Sequence, residues 1–272
     1  MATPYEWIVD ALDETWQATD RVLRSRPPEA YDAPTSCPGW SVRDVLSHLV
    51  GFEAFLQGEP VPPHDGEWPE YVRNSIGEMN EAFVEAHRRE PGDAVLDQFR
   101  EVTRLAVRRL RGLSLDEWEV VGWSPEGPRP YHRFQETRLL DSWIHLQDIR
   151  DALLEPADDH GVGEEVVVNR FEAALPYVVG RAMGAPDGTV VRISLTGRLA
   201  RSVNLEVTGG RASSVASSSN PPTLEIVTPV ALFWRRAAGR IDAEAFLRAS
   251  ATEVRGDREL AREFSRALAI MP

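Results

Sequence analysis

The sequence predicts a two-part fold: an antiparallel four-helix bundle over residues 1–157, then a smaller α+β domain with a mostly antiparallel sheet over residues 158–272. Three observations carry this reading. Apolar residues recur every three or four positions as far as residue 154, the mark of helices that bury one face. Beyond residue 190 the period falls to two, the mark of strands covered on one side. Between the two regions, residues 155–161 (Glu-Pro-Ala-Asp-Asp-His-Gly) are polar and bounded by Pro and Gly, as domain boundaries often are.

The first helix spans residues 5–24, with Ile8, Leu12, Trp16 and Leu23 in phase, acids early and arginines late, which suits the helix dipole. It stops before Pro27-Pro28. After the turn-rich segment 35–40, Ser41 and Asp44 nearly match a capping box and start the second helix. There Val45, His48, Phe52 and Phe55 form one stripe, which points His48 into the fold. Residues 58–69 form a loop by their four prolines and two glycines. A third helix covers 70–89, with Val72, Ile76, Met79 and Phe83 in phase, and Pro91-Gly92 breaks it. Asp93 is read as the cap of a fourth, which ends at Gly112 with its arginines (104–111) on a solvated face. Residues 131–154 contain neither Gly nor Pro and read as one long helix.

In the second region one more helix holds Val167, Phe171, Leu175 and Val178 in phase. Val191, Ile193 and Leu195 then alternate with polar residues, as do Val203, Leu205 and Val207. Gly209-Gly210 marks a hairpin turn into a third strand at 211–216. A strand near 224–227 runs into Thr228-Pro229, read as a helix N-terminus, and that helix stops at Gly239. Asp257 caps the last helix. No internal repeat, Walker loop or dinucleotide fingerprint is present.

Composition narrows the function. With 30 basic and 43 acidic residues the formal charge is -13, and no basic block offsets it, so nucleic acid and anionic membrane surfaces are not expected partners. No apolar run reaches the roughly 18 residues of a membrane helix and no leader pattern opens the chain, so a cytoplasmic protein is expected. The single cysteine, Cys37, excludes an intrachain disulfide or a multi-cysteine metal site.

Asp141-Ser-Trp-Ile-His145-Leu-Gln-Asp148 is the stretch with chemistry in it. Asp141 and His145 lie four apart and share a helix face, and carboxylate and imidazole are both zinc ligands. The polar stripe Arg138, Asp141, His145, Asp148 runs beside the apolar stripe Leu139, Trp143, Leu146, Leu153. With His48 the pair gives three ligands, the count of a catalytic zinc site that keeps a fourth position open. Spacing alone leaves two readings, a metal site or a core histidine beside an ordinary helix-surface ion pair.

The segments Cys37-Pro-Gly-Trp-Ser-Val-Arg-Asp-Val-Leu-Ser-His48 and Asp141-Ser-Trp-Ile-His145-Leu-Gln-Asp148-Ile-Arg150 resemble the two signature segments of the mycothiol-dependent maleylpyruvate isomerase family, within the DinB-like superfamily. The resemblance spans nearly the whole chain and implies a DinB-like metal-binding bundle followed by a sterol-carrier-like domain. It implies Zn2+, or another divalent metal, on His48, Asp141 and His145, and mycothiol as thiol cosubstrate. Where the characterised isomerase carries Glu, this chain carries Asp141, one methylene shorter. The implied function is a zinc-dependent isomerase or S-transferase that uses a low-molecular-weight thiol on a small electrophilic substrate. The alternative is a non-catalytic metal- or ligand-binding regulatory protein of the same superfamily. No protein partner is expected.

Other residues are weighed more simply. Cys37 is read as packing a turn, with no histidine beside it. Asp148 is either a partner of His145 or paired with a base such as Arg150, and Arg138 is read as a surface ion pair or an anion contact. Arg240 is the expected catalytic arginine of the second domain. His64, His87, His132 and His160 need no role.

Overall fold

The computed structural model describes residues 3–157, 161–218 and 220–271. Residues 158–160, which include His160 and fall within the expected linker, lie outside the described residues. The chain divides into two compact units, Met1–Glu164 and Glu165–Pro272.

The first unit is helical: α1 (Glu6–Leu23), α2 (Val42–Leu56), α3 (Ser75–His87), α4 (Gly92–Arg111), a short α5 (Leu115–Glu119) and α6 (Tyr131–Ala152). α1 packs on α4 and α6, and α2 packs on α3, α4 and α6. The Ser41 capping box forms in full, with the Ser41 hydroxyl taking the Asp44 N–H and the Asp44 carboxylate taking the Ser41 N–H at 2.8 Å. Two expected starts are corrected. The third helix begins at Ser75 rather than at residue 70, because the Asn74 side chain accepts from the Gly77 N–H and fixes the first turn there. The fourth begins after Pro91, whose extended φ and ψ set the entry, while Asp93 lies in the first turn, its carboxylate accepting from the Ala94 N–H. Sequence reading missed α5, although Ser114 and Glu117 make a second full capping box. It also missed the two-residue ladder of β1 (Val121–Gly122) with β2 (Arg129–Pro130), which closes the loop before α6.

α6 departs furthest from expectation. Most of both stripes is buried, Leu139, Trp143 and Leu146 on one and Arg138, His145 and Asp148 on the other, with Leu153 and Asp141 partly exposed. The helix is enclosed by α1, α2 and α5, and the Trp16 indole of α1 donates to Ser142 Oγ at 3.1 Å.

The second unit takes up α7 (Gly161–Tyr177), which starts in the first, and a π-helical turn at Val178–Ala182. A five-stranded sheet follows, made of β3 (Val190–Thr196), β4 (Arg201–Thr208), β5 (Arg211–Val215), β6 (Leu224–Pro229) and β7 (Glu253–Gly256), in the order β5-β4-β3-β6-β7. Only the β3–β6 pair is parallel. Gly209 and Gly210 both have positive φ, as a two-residue hairpin demands, and the Asp187 carboxylate accepts from both of their N–H groups. α8 (Val230–Ala237), α9 (Ala243–Arg248) and α10 (Arg258–Ala267) complete the unit. Asp257 caps α10 as expected. Thr228 does not cap α8; Pro229 takes that position and the Thr228 hydroxyl pairs with Thr252 Oγ1. α9, capped by Asp242, and β7 were not read from the sequence.

Candidate metal centre

His48 from α2 and Asp141 and His145 from α6 converge, with ligand atoms within 4.8 Å of one another. His48 Nε2 lies 3.3 Å from Asp141 Oδ2, and His145 Nε2 lies 3.5 Å from Asp141 Oδ1. A tetrahedral ion with bonds of about 2.0–2.1 Å needs ligand atoms about 3.3–3.5 Å apart; each contact falls in that range, with the two histidines meeting different oxygens of Asp141. The donor set, two imidazoles and a carboxylate, fits zinc or a similar divalent ion.

The electrostatics fit as well. Burial disfavours the charged form of His145, yet Asp141, Asp148 and Cys37 outweigh it and hold its pKa well above the ordinary imidazole value. Burial would raise the Asp141 carboxyl, but His48, His145 and Arg138 hold it well below the usual carboxylate range. His48 is lowered, chiefly by burial, with Asp141 opposing. To take an ion, His145 would give up a proton, whereas burial already favours the neutral form of His48.

Arg138 corrects the surface reading. It is 2% exposed; its Nε and Nη2 donate to Glu53 Oε1 at 3.1 and 2.8 Å, and its Nη1 donates to Asp141 Oδ2 at 2.7 Å. Its guanidinium also stands 4.2 Å from the Phe52 ring centre. Burying such a cation is tolerated because its donors face carboxylates and its flat side faces an aromatic ring.

Trp40 covers the two histidines, its ring 5.3 Å from His48 and 6.1 Å from His145. Its indole N–H donates to Glu81 Oε2 at 2.8 Å, and Glu81 also accepts from Tyr71 and Arg88. Sequence reading gave Trp40 and Glu81 no part, and Glu81, 33 positions from His48 in sequence, carried no visible signal.

Cys37 is also corrected, because it has a histidine near it: Cys37, His145 and Asp148 form a second convergence of buried donors. Asp148 Oδ2 lies 3.0 Å from His145 Nδ1, which selects the partner reading of Asp148. Arg150 donates to the Pro156 carbonyl. Arg240 belongs to the second unit, where its Nη1 donates to the Ala238 carbonyl at 2.7 Å. His87 bonds to the Phe83 carbonyl and to Gln98, His132 stacks on Tyr5 and His64 on Trp68.

Residues 12–150 match the sequence pattern of the family described as "Mycothiol maleylpyruvate isomerase N-terminal domain". The chain belongs to this family. Two solved structures share its fold: the mycothiol-dependent maleylpyruvate isomerase, with TM-score 0.56 and 15% identity, and a histidine-to-alanine mutant of a mycothiol-dependent maleylpyruvate isomerase, with TM-score 0.57 and 14% identity. Each alignment covers 93% of this chain and 93% of the other. At that identity the likeness speaks for the fold alone. No curated protein matches the chain in sequence. Among the described residues, no helix of this family member is long and apolar enough to cross a membrane.

Proposed function

We propose that the protein is a zinc-dependent enzyme that uses a low-molecular-weight thiol, mycothiol in keeping with its family, as an isomerase or S-transferase on a small electrophilic substrate in the cytoplasm. The observation that carries this is the convergence of His48, Asp141 and His145 from two helices of a family member. His48, Asp141 and His145 would hold the ion. A bound divalent metal supplies stabilisation of a thiolate at neutral pH.

The surrounding residues have separate jobs. Arg138 adds to the pull of His48 and His145 that keeps Asp141 ionised, and it fixes the carboxylate from one side. Trp40 and Phe52 flank His48 with aromatic surface and limit its contact with water, which strengthens the local electrostatics. In the isomerase form, the thiolate sulfur bonds to an alkene carbon and the π pair moves onto a conjugated carbonyl oxygen as an enolate; the resulting single bond rotates, and return of the pair restores the double bond and expels the same sulfur as thiolate. In the transferase form the sulfur stays on the product and a leaving group departs with the electron pair. Arg240 is proposed to meet a substrate carboxylate with its planar fork.

Purified protein supplied with zinc, mycothiol and a panel of electrophiles that includes maleylpyruvate tests the reading. Isomer or thioether formation that a chelator abolishes and zinc restores is the expected result. Saturable ligand binding without turnover would establish the regulatory alternative instead.

A further inference from the structure

His145 is held from both sides. Its Nε2 faces Asp141, while its Nδ1 faces Asp148 Oδ2 at 3.0 Å. An ionised carboxylate only accepts hydrogen bonds, so the proton of this contact sits on Nδ1, and Nε2 is the nitrogen left to bind an ion. Asp148 is 1% exposed, and the Cys37 thiol donates to the same Oδ2 at 3.3 Å.

The backbone explains how Cys37 comes to be there. The Trp40 N–H bonds to the Cys37 carbonyl at 3.0 Å, with Pro38 second and Gly39 at φ +75° third. Those are the residues that a type II turn prefers at these positions. Thr35 ties the turn off, its hydroxyl donating to the Trp40 carbonyl at 2.8 Å and accepting from the Cys37 N–H at 3.2 Å. A Cβ at Gly39 would strike the Tyr71 ring. The other histidine has no such support: His48 Nδ1 is buried with no hydrogen-bond partner.

We infer that Asp148, steadied by the Cys37 thiol, is a positioning residue that fixes the tautomer and ring orientation of His145 and thereby sets the metal affinity of the site. The inference rests on the metal reading above and extends it to a role for the Cys-Pro-Gly-Trp turn. Partners of this kind orient metal-bound histidines and raise their basicity.

The test is zinc affinity of the full chain by competition with a chromophoric chelator, with folding checked by circular dichroism. Asp148→Ala should weaken zinc by about 10–100-fold at unchanged stoichiometry. Asp148→Asn keeps the shape and one acceptor, so it carries the test if the alanine variant does not fold; it should fall between wild type and Asp148→Ala. Cys37→Ser keeps a donor to Asp148 and should stay close to wild type. Wild-type affinity in folded Asp148→Asn and Asp148→Ala would overturn the inference while leaving the metal reading intact. A wild-type chain that binds no zinc would bring down both. Cobalt substitution supplies a further check: a thiolate charge-transfer band that vanishes in Cys37→Ser would make Cys37 a ligand and overturn its assigned place behind Asp148.

Discussion

The two units treat charge in opposite ways. In the first, Asp44, His48, Glu53, Glu81, Arg138, His145 and Asp148 are all buried in and around α2, α3 and α6. In the second, Arg236 is the buried ionisable residue among the described ones, and pairs such as Arg192 with Glu225 and Arg201 with Glu172 lie on partly exposed ground. Buried charge costs several kcal/mol per ion before partners repay it. A fold that needed only stability would not concentrate that cost in one place, so the helical unit is where metal chemistry is expected.

The sharpest way to break this contrast is to remove a ligand. His48→Ala, His145→Ala or Asp141→Ala should each lower zinc affinity by more than about 100-fold, because a protein zinc site needs three or four good ligands. Asp141→Glu should keep the metal. Elemental analysis of the purified variants decides it, and full occupancy in both histidine variants would remove the site. Arg138→Ala should come next, at about 3–5 kcal/mol of stability by urea unfolding, since it strands Glu53 in the interior. An equal loss from Arg201→Ala would erase the difference between the units.

Two effects of about tenfold sharpen it further. His145 is held protonated above its ordinary range, so zinc must displace a proton there. Affinity should therefore rise by about tenfold per pH unit until His145 titrates, then level off, with proton release measurable by calorimetry in several buffers. A flat profile across neutral pH would contradict the charge assigned to His145. Arg240→Ala should raise KM by about tenfold with zinc retained, the scale of one charge-assisted hydrogen bond; unchanged kinetics would exclude Arg240 from catalysis. The smallest effect belongs to the partly exposed pair. Arg201→Ala should cost at most about 1 kcal/mol.

Legibility followed the same division. Periodicity exposed the long helices and the alternating strands, and Ser41, Asp257 and Gly209-Gly210 marked their ends, because local backbone chemistry writes itself into neighbouring residues. Short elements such as α5, α9 and β7 have too few residues for a period to show. At the site, Asp141 and His145 were visible as an i, i+4 pair on one helix. Their link to His48 needed the resemblance, since helix pairing across 93 positions leaves no local trace. The burial of Arg138 was misread because its partner Glu53 sits 85 positions away. The turn at Cys37 was read, but its contact with Asp148 was missed for the same reason, the two being 111 positions apart.

That separation also sets a clock. Ribosomes add about 5–20 residues per second, so after His48 is made, on the order of 5–20 s pass before Asp141 follows it. During that interval the face of α2 that carries His48, Phe52 and Glu53 has no α6 to cover it. His48 therefore waits in the nascent chain without Asp141 and His145, and the convergence of the three side chains forms only when the last long helix of the unit leaves the exit tunnel.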